Sequence, residues 1–382
     1  MVFHMKTKRF FTIVSITLLT ILLISCQTRW QMDILLNEEP AITVNSELVN
    51  MYINELDYVI EELPIAYIFY YHGFTLIDEI TFFEGEESHH TYDWESISEF
   101  ATIAENGQVT VNNDSFSPNA IHITPSSLVD EIAMTIMDLA PTMAKVMGLP
   151  SMADTHGQPQ SSSSAKHGVL ILVDGLQYQN LQTLISEDSL PFFQSIDDIQ
   201  KGVTVYPSIT TASTAALLTG APPYVNGAYG YGYRSTEMET IFDLAVEHGN
   251  TVTAIEGYGV PFNLRNANLI LSGDRDGDGF TDDNVFANSL DVIKNDMPDL
   301  LFIHFHDVDD LGHRYGPETP EYEGAIIRVD NYLSQIYEAL PEDTFVIIFA
   351  DHGMQAEPDG LGGNHGPLTK ASMIIPIIFL EK

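Results

Sequence analysis

The sequence predicts an α/β fold, a mostly parallel central sheet flanked by helices with a smaller α+β region before it. Three observations carry this. Four short β-rich runs, Val169 to Val173, Thr251 to Ile255, Leu300 to Phe305 and Thr344 to Phe349, recur with turns and helical stretches between them, as strands buried on both faces do. Three of these runs are followed within a few residues by Asp or His, and the C-terminal edge of a parallel sheet is where such folds place their chemistry. A hydrophobic content of 45% over 382 residues suffices for one large core and a smaller one.

Taken in order, Lys6, Lys8 and Arg9 precede an apolar run from Phe10 to Ile24, too short for a comfortable membrane span and typical of a signal peptide. The run ends Leu23-Ile24-Ser25-Cys26, and Cys26 is the only cysteine. Residues 1–26 therefore resemble the signal and lipobox of a bacterial lipoprotein, which implies lipid on Cys26 and an extracytoplasmic protein anchored to the cell membrane. A single cysteine permits no intrachain disulfide.

Residues 27–126 read as a tether and a small α+β region. Val49, Ile53, Leu56 and Ile60 fall at helical spacing. Stretches such as Tyr67 to Tyr71, Ile77 to Phe83 and Gln108 to Val111 lie between Gly, Asn, Asp and Ser clusters, which predicts short strands and turns. Residues 127–155 form a helical segment expected to pack on the core, and 156–166, with Ser161 to Ser164 in a row, a flexible linker. Residues 167–382 form the main domain, with a cap-like insertion over 221–299.

The charge balance excludes one class of partner. With 15 basic against 54 acidic residues the net charge is −39, and no basic patch stands out, so nucleic acid is not expected as a bound partner. The acidity itself describes a solvated surface.

Five short motifs carry the chemistry. Asp174 ends the first run, where its carboxylate projects from the sheet edge. The segment Tyr206-Pro207-Ser208-Ile209-Thr210-Thr211 opens a helix of small residues through Gly220, and free N–H groups at a helix start favour a phosphoryl oxygen. A hydroxyl there is a weak nucleophile unless a metal lowers its pKa. Asp309 and His313, four apart in the stretch after Phe305, can reach one ion from the same turn, and carboxylate with imidazole suits zinc. Asp351-His352-Gly353 and Asn364-His365-Gly366 complete the set.

The order Asp-Gly, Pro-Ser-x-Thr, Asp-x-x-Gly-His, Asp-His-Gly and Asn-His-Gly over residues 167–382 resembles the nucleotide pyrophosphatase/phosphodiesterase branch of the alkaline phosphatase superfamily. The resemblance implies an alkaline-phosphatase-like sheet and two zinc ions. One ion would be held by Asp309, His313 and His365, the other by Asp174, Asp351 and His352, with Thr210 between them. It further implies attack by Thr210 on phosphorus, a covalent phospho-threonine intermediate, and a small phosphate ester as substrate. One departure is plain: Ser213 stands where the branch has a phosphate-binding Asn, so Ser213 and the backbone N–H of Thr211 are the candidate phosphate contacts, with Ser208 a backup nucleophile. The stretch Asp138-Leu139-Ala140-Pro141-Thr142 looks like a helix that in many superfamily members follows the last metal-binding segment. Here it precedes the first, which suggests a circular permutation with 127–149 packed beside the strand Met373 to Leu380.

The acidic loop Asp274-Arg275-Asp276-Gly277-Asp278-Gly279 has carboxylates at alternating positions, like the start of a calcium loop. Val285 at the twelfth position departs from an EF-hand, leaving Asp282 or Asp283 to complete a cage for calcium with Asp274, Asp276 and Asp278. Arg234 and Arg265 are the nearest cations in the cap-like region. Their scarcity favours a phosphodiesterase or pyrophosphatase over a phosphomonoesterase of the same fold. A non-catalytic surface lipoprotein binding metal or solute would keep the ligands and have no need of Thr210.

Overall fold

The computed structural model describes residues 30–36, 39–56, 62–85 and 88–382. Cys26 and the signal segment lie outside the described residues. The chain divides into two compact units. The smaller comprises residues up to Leu63, Thr81–Thr91 and Thr102–Ile123, and the larger Pro64–Ile80, Tyr92–Ala101 and Thr124–Lys382. The small region expected over 27–126 is therefore interrupted twice by stretches belonging to the larger unit.

In the smaller unit, the expected tether is a β-hairpin, Gln31–Leu36 paired antiparallel with Glu39–Asn45. The helix Ser46–Glu55 follows directly. Asn45 caps it, its side-chain oxygen accepting the Leu48 N–H at 3.0 Å, and Val49, Tyr52 and Leu56 are buried. Gln31–Leu36 also pairs in parallel with Ala120–Pro125. Short antiparallel strands at Thr102–Ala104, Val109–Val111 and Asp114–Phe116 form a second sheet, as the turn-rich sequence predicts.

The larger unit is built on eight strands in the order Met134–Thr135, Gln200–Val203, Ile374–Glu381, Thr344–Phe349, His167–Val173, Leu300–Phe305, Val252–Glu256, Asn268–Leu271. Only Ile374–Glu381 runs antiparallel to its neighbours; the other pairings are parallel. Every residue of His167–Val173, Val252–Glu256, Leu300–Phe305 and Thr344–Phe349 is buried, which is why these strands read as apolar runs rather than alternating ones. The mostly parallel α/β sheet predicted from the sequence is the observed fold.

Tyr67 to Tyr71 is a correction. It lies in a helix, Ile65–Tyr71, not a strand. Ile65 through Tyr70 are all buried, and a helix apolar all round shows no amphipathic period to separate it from a buried strand.

The segment 127–149 holds a strand and one short α-helix. Met134–Thr135 pairs with Gln200–Val203, which separates it from Ile374–Glu381, so the segment joins the sheet one strand away from the expected position. The helix Leu139–Val146 packs on the helices Thr210–Thr219 and Ile241–Glu247. Its Asp138 and Thr142 have structural duties. Asp138 accepts the N–H of Thr135 and of Gln158, each at 2.7 Å, while Thr142 donates to the Asp138 carbonyl at 2.6 Å and accepts the Gln160 N–H at 2.9 Å. Those bonds, with His156 and Gly157 donating to the Gly220 carbonyl at 2.8 and 2.9 Å, strap down part of the stretch expected to be a free linker. Gly157 is required there, because a Cβ would sit 2.0 Å from the Met137 carbonyl oxygen.

Candidate metal and phosphoester site

The five motifs converge at the C-terminal edge of the large sheet. Asp174 follows His167–Val173, Asp351 and His352 follow Thr344–Phe349, and Asp309 and His313 lie on the helix Asp307–Tyr315 after Leu300–Phe305. Thr210 opens the helix Thr210–Thr219, and His365 follows the two-residue strand Gly363–Asn364. Gly175 lets the chain turn away behind Asp174: its φ is +69° and a Cβ would lie 2.9 Å from the Asp309 Cα.

Three histidines are fixed in one tautomer. The Nδ1–H of His352 donates to the Gly353 carbonyl at 3.0 Å, that of His365 to the Ser208 carbonyl at 2.9 Å, and that of His313 to the Gly363 carbonyl at 3.0 Å. Each Nε2 is then an acceptor facing the site. The Nε2 atoms of His313 and His365 are 3.1 Å apart, two lone pairs in contact that call for a cation between them. His352 and His365 stack with ring centres 3.6 Å apart.

The carboxylates make the same demand. Asp174 Oδ1, Asp351 Oδ2 and Asp309 Oδ1 are buried without a hydrogen-bond partner, a costly arrangement for an acceptor unless a cation or proton meets it. Asp174 Oδ1 and Asp351 Oδ2 each lie 3.3 Å from His352 Nε2. Asp309 reaches His313 Nε2 at 3.4 Å and His365 Nε2 at 3.7 Å. Asp174, Asp351 and His352 converge tightly enough to share one ion, and so do Asp309, His352 and His365. The donor set, carboxylate oxygens with neutral imidazoles, fits zinc.

The electrostatics agree. Burial, and then the charge of Asp174, pushes the Asp351 carboxyl up to about 7. Burial with the charges of Asp174 and Asp351 drives Asp309 well above the ordinary range. Burial and the neighbouring His352 hold His365 down to about 2, so its imidazole is neutral. For Asp174 burial acts upward, but the hydrogen bond from His304 brings it below its usual value.

Thr210 is half-buried, its Oγ1 3.2 Å from His352 Nε2. The first intrahelical bond beyond it is Ser213 N–H to the Ile209 carbonyl at 2.9 Å, so the N–H groups of Thr210, Thr211 and Ala212 stand at the open helix start. Two expected roles are corrected, Ser213 as a phosphate contact and Ser208 as a backup nucleophile. Ser213 is fully buried and shares a 3.0 Å hydrogen bond with Thr204 Oγ1, which itself donates to the Asp351 carbonyl, so Ser213 braces the site from behind. Ser208 is also fully buried, donating to the Pro367 carbonyl at 3.0 Å and accepting the Gly366 N–H at 3.1 Å.

A cavity of about 340 Å³ opens beside Thr210 and Asp174, with Arg234, Tyr258, His306 and Asp310 in its walls. Arg265 is elsewhere, bound to Asp243. In the acidic loop the carboxylates of Asp274, Asp276 and Asp278 converge, but Asp282 is buried and accepts the N–H groups of His306 and Asp307 at 2.7 and 3.1 Å. It caps the helix Asp307–Tyr315 and does not complete a calcium cage.

Sequence reasoning missed Glu256 and His304, both fully buried beside Asp174, and His306 next to them. Their signal was available: a Glu closing a buried strand, and a His inside an otherwise apolar one.

The sequence profile of the type I phosphodiesterase / nucleotide pyrophosphatase family matches residues 168–253 and 253–366, more than half of the chain. The chain belongs to this family. Among curated relatives, the catalytic subunit of human GPI ethanolamine phosphate transferase 3 is 22% identical over 233 residues, covering 52% of this chain and 20% of the relative. GPI ethanolamine phosphate transferase 2 of Yarrowia lipolytica is 33% identical over 76 residues, 20% of this chain and 9% of the relative. The chain thus spans a fifth or less of the length of these relatives. Among solved structures, phosphonoacetate hydrolase from Sinorhizobium meliloti with phosphonoformate is 20% identical with a TM-score of 0.43, covering 56% of this chain and 62% of that one. Murine ectonucleotide pyrophosphatase / phosphodiesterase 5 is 18% identical with a TM-score of 0.41, covering 50% and 59%. The family is one of phosphoesterase-type enzymes, and the curated relatives are named as phosphate transferases.

Proposed function

We propose that this phosphodiesterase-family chain is a two-zinc hydrolase of phosphate esters in which Thr210 is the nucleophile. The observation that carries the reading is the set of three buried, unpartnered carboxylate oxygens facing imidazole nitrogens that are all acceptors. Asp174, Asp351 and His352 would hold one ion and Asp309, His313 and His365 the other. When bound, the ions supply positive charge that lowers the pKa of the Thr210 hydroxyl and offsets charge on the phosphoryl oxygens. Thr210 Oγ1 attacks phosphorus, the P–O bond to the leaving alcohol breaks, and the phosphoryl group rests on Thr210 until water displaces it. The N–H groups at the helix start receive a phosphoryl oxygen through both stages.

Zinc reconstitution of the full-length protein, followed by turnover of chromogenic phosphate diesters and monoesters, tests this. Thr210→Ala is expected to retain zinc and lose activity by roughly a thousandfold or more. Equal activity in the variant refutes the nucleophile, and zinc binding without any esterase activity favours a solute-binding protein. The relatives named as ethanolamine phosphate transferases favour a second reading, in which an alcohol replaces water as acceptor; product analysis with an added alcohol separates the two. Two further parts of this reading stand on sequence. Lipid on Cys26 would anchor the protein outside the cytoplasm, tested by mass shift of Cys26→Ser. Calcium would sit on Asp274, Asp276 and Asp278 without Asp282, tested by a fall in Tm on selective chelation.

A further inference from the structure

We propose that His304 and Glu256 are positioning residues for Asp174, fixing its carboxylate so that Oδ1 alone is presented to a bound cation; this rests on the metal reading above. Glu256 and His304 lie on the neighbouring strands Val252–Glu256 and Leu300–Phe305, and Asp174 directly follows the next strand, His167–Val173. The pairing of Ile255 with Ile303 sets Glu256 level with His304, and His304 pairs with Leu172, two residues before Asp174, so the three meet at the C-terminal edge of the sheet. All three are almost wholly buried, at 1%, 0% and 3% exposure for Glu256, His304 and Asp174.

The contacts form a chain. His304 Nδ1 lies 2.9 Å from Glu256 Oε2 and its Nε2 3.1 Å from Asp174 Oδ2. Both ring nitrogens are engaged, so the ring cannot turn without breaking both contacts. His306 Nε2 reaches the same Glu256 oxygen at 3.0 Å, and its ring centre lies 3.7 Å from that of His304, which holds Glu256 and His304 in place from the cavity side. The effect falls on Asp174: Oδ2 is occupied, while Oδ1 is buried, unpartnered and 3.3 Å from His352 Nε2. A free carboxylate could swing or offer both oxygens. This one is held to a single donor atom before any ion arrives, as partners behind a metal ligand do elsewhere. The cluster Asp174, His304 and His306 also has the spacing of an ion site, but His304 has no nitrogen left to give.

The test is zinc affinity of the full chain, by competition with a chromogenic chelator that resolves two sites. His304→Phe, which fills the space without hydrogen bonds, is expected to weaken one site about 10- to 100-fold and leave the other unchanged. Glu256→Gln should weaken the same site by a smaller factor, and His304→Gln, which can still donate to Asp174, should recover part of the loss. Wild-type affinity at both sites in His304→Phe overturns the proposal, as does equal weakening of both, which marks general damage. Should His304→Phe fail to fold by circular dichroism, the same criteria apply to His304→Gln and Glu256→Gln. A wild-type chain that binds no zinc overturns the metal reading itself, and the proposal with it.

Discussion

Replacing Arg265 by Ala separates a structural cation from a substrate-binding one, and the outcome can be worked from the contacts. Arg265 Nε donates to both Asp243 oxygens at 2.9 Å and Nη2 to Oδ2 at 2.7 Å. The guanidinium also serves the Thr236 and Met238 carbonyls. Removing one partner of a buried pair costs about 3–5 kcal/mol. Here the Arg265 side chain is 35% exposed, and Asp243 keeps the N–H of Thr240 at 2.8 Å and the amide of Asn266 at 2.7 Å. About 2–3 kcal/mol is therefore expected. In a domain of this size that lowers Tm by about 4–12 °C.

The pH dependence has a definite sign. Burial acts to raise the Asp243 carboxyl, but the hydrogen bonds from Arg265 and Thr240 outweigh it and leave the group below its ordinary range. A carboxylate depressed in the folded state contributes stability above its unfolded pKa and loses it as pH falls through the folded value. The Tm difference between wild type and Arg265→Ala should be full at neutral pH and shrink below about pH 4. Thermal melts across that range, with kcat and KM at neutral pH, check it. An unchanged Tm refutes the packing argument, and a normal Tm with a raised KM returns Arg265 to the substrate.

Arg234→Ala should do the reverse, raising KM about tenfold or more, as loss of a charged hydrogen bond does, with no change in Tm; a fall in Tm without a change in KM would remove it from the cavity. Ser213→Ala loses the bond to Thr204 and should cost about 1 kcal/mol while leaving KM unaltered, whereas a raised KM would restore Ser213 as a phosphate contact. Asp138→Ala removes the acceptor for both Thr135 and Gln158. A loss of about 1–2 kcal/mol and faster proteolytic cleavage within 156–166 are expected, and unchanged cleavage would contradict the strap. Asp310→Asn takes an exposed negative charge from the cavity wall and should raise kcat/KM for monoesters more than for diesters; equal effects on both would show that Asp310 does not face the phosphoryl group.

The strands that carry the site were legible because burial on both faces leaves an unmistakable run: Leu300 to Phe305 and Thr344 to Phe349 begin and end where expected. The motif residues were legible for a related reason, since Asp174 and Asp351 sit where apolar runs stop. Orientation was not legible. Ser213 and Thr210 are three residues apart on one helix, yet one is fully buried and the other half-exposed to the cavity; Ser213 bonds Thr204, which is tied in turn to the Asp351 carbonyl from a distant part of the chain. Asp282 misled in the same way. Its spacing fits a cation loop, while its carboxylate caps a helix 25 residues on. Spacing reports which groups can meet; only packing decides which do.

The burial of Ser213 bears on substrate choice. With that hydroxyl turned to the core, phosphoryl contacts from the described residues reduce to the N–H groups at the start of Thr210–Thr219 and to Arg234 in the cavity wall. The helix start contributes about half a positive charge, and one guanidinium adds a single charge at an exposed position. Against these stand Asp310 in the same cavity and a net charge of −39 on the chain. A monoester brings a dianion to this wall, whereas a diester brings a single charge and a second substituent that Tyr258, Val260 and Pro261 can flank. On the metal reading the two ions would carry most of the positive charge at the phosphoryl group, and we propose that the chain's own charges tilt the choice towards esters whose phosphorus carries two organic groups. That holds for water and alcohol acceptors alike, since it concerns the group transferred rather than what receives it.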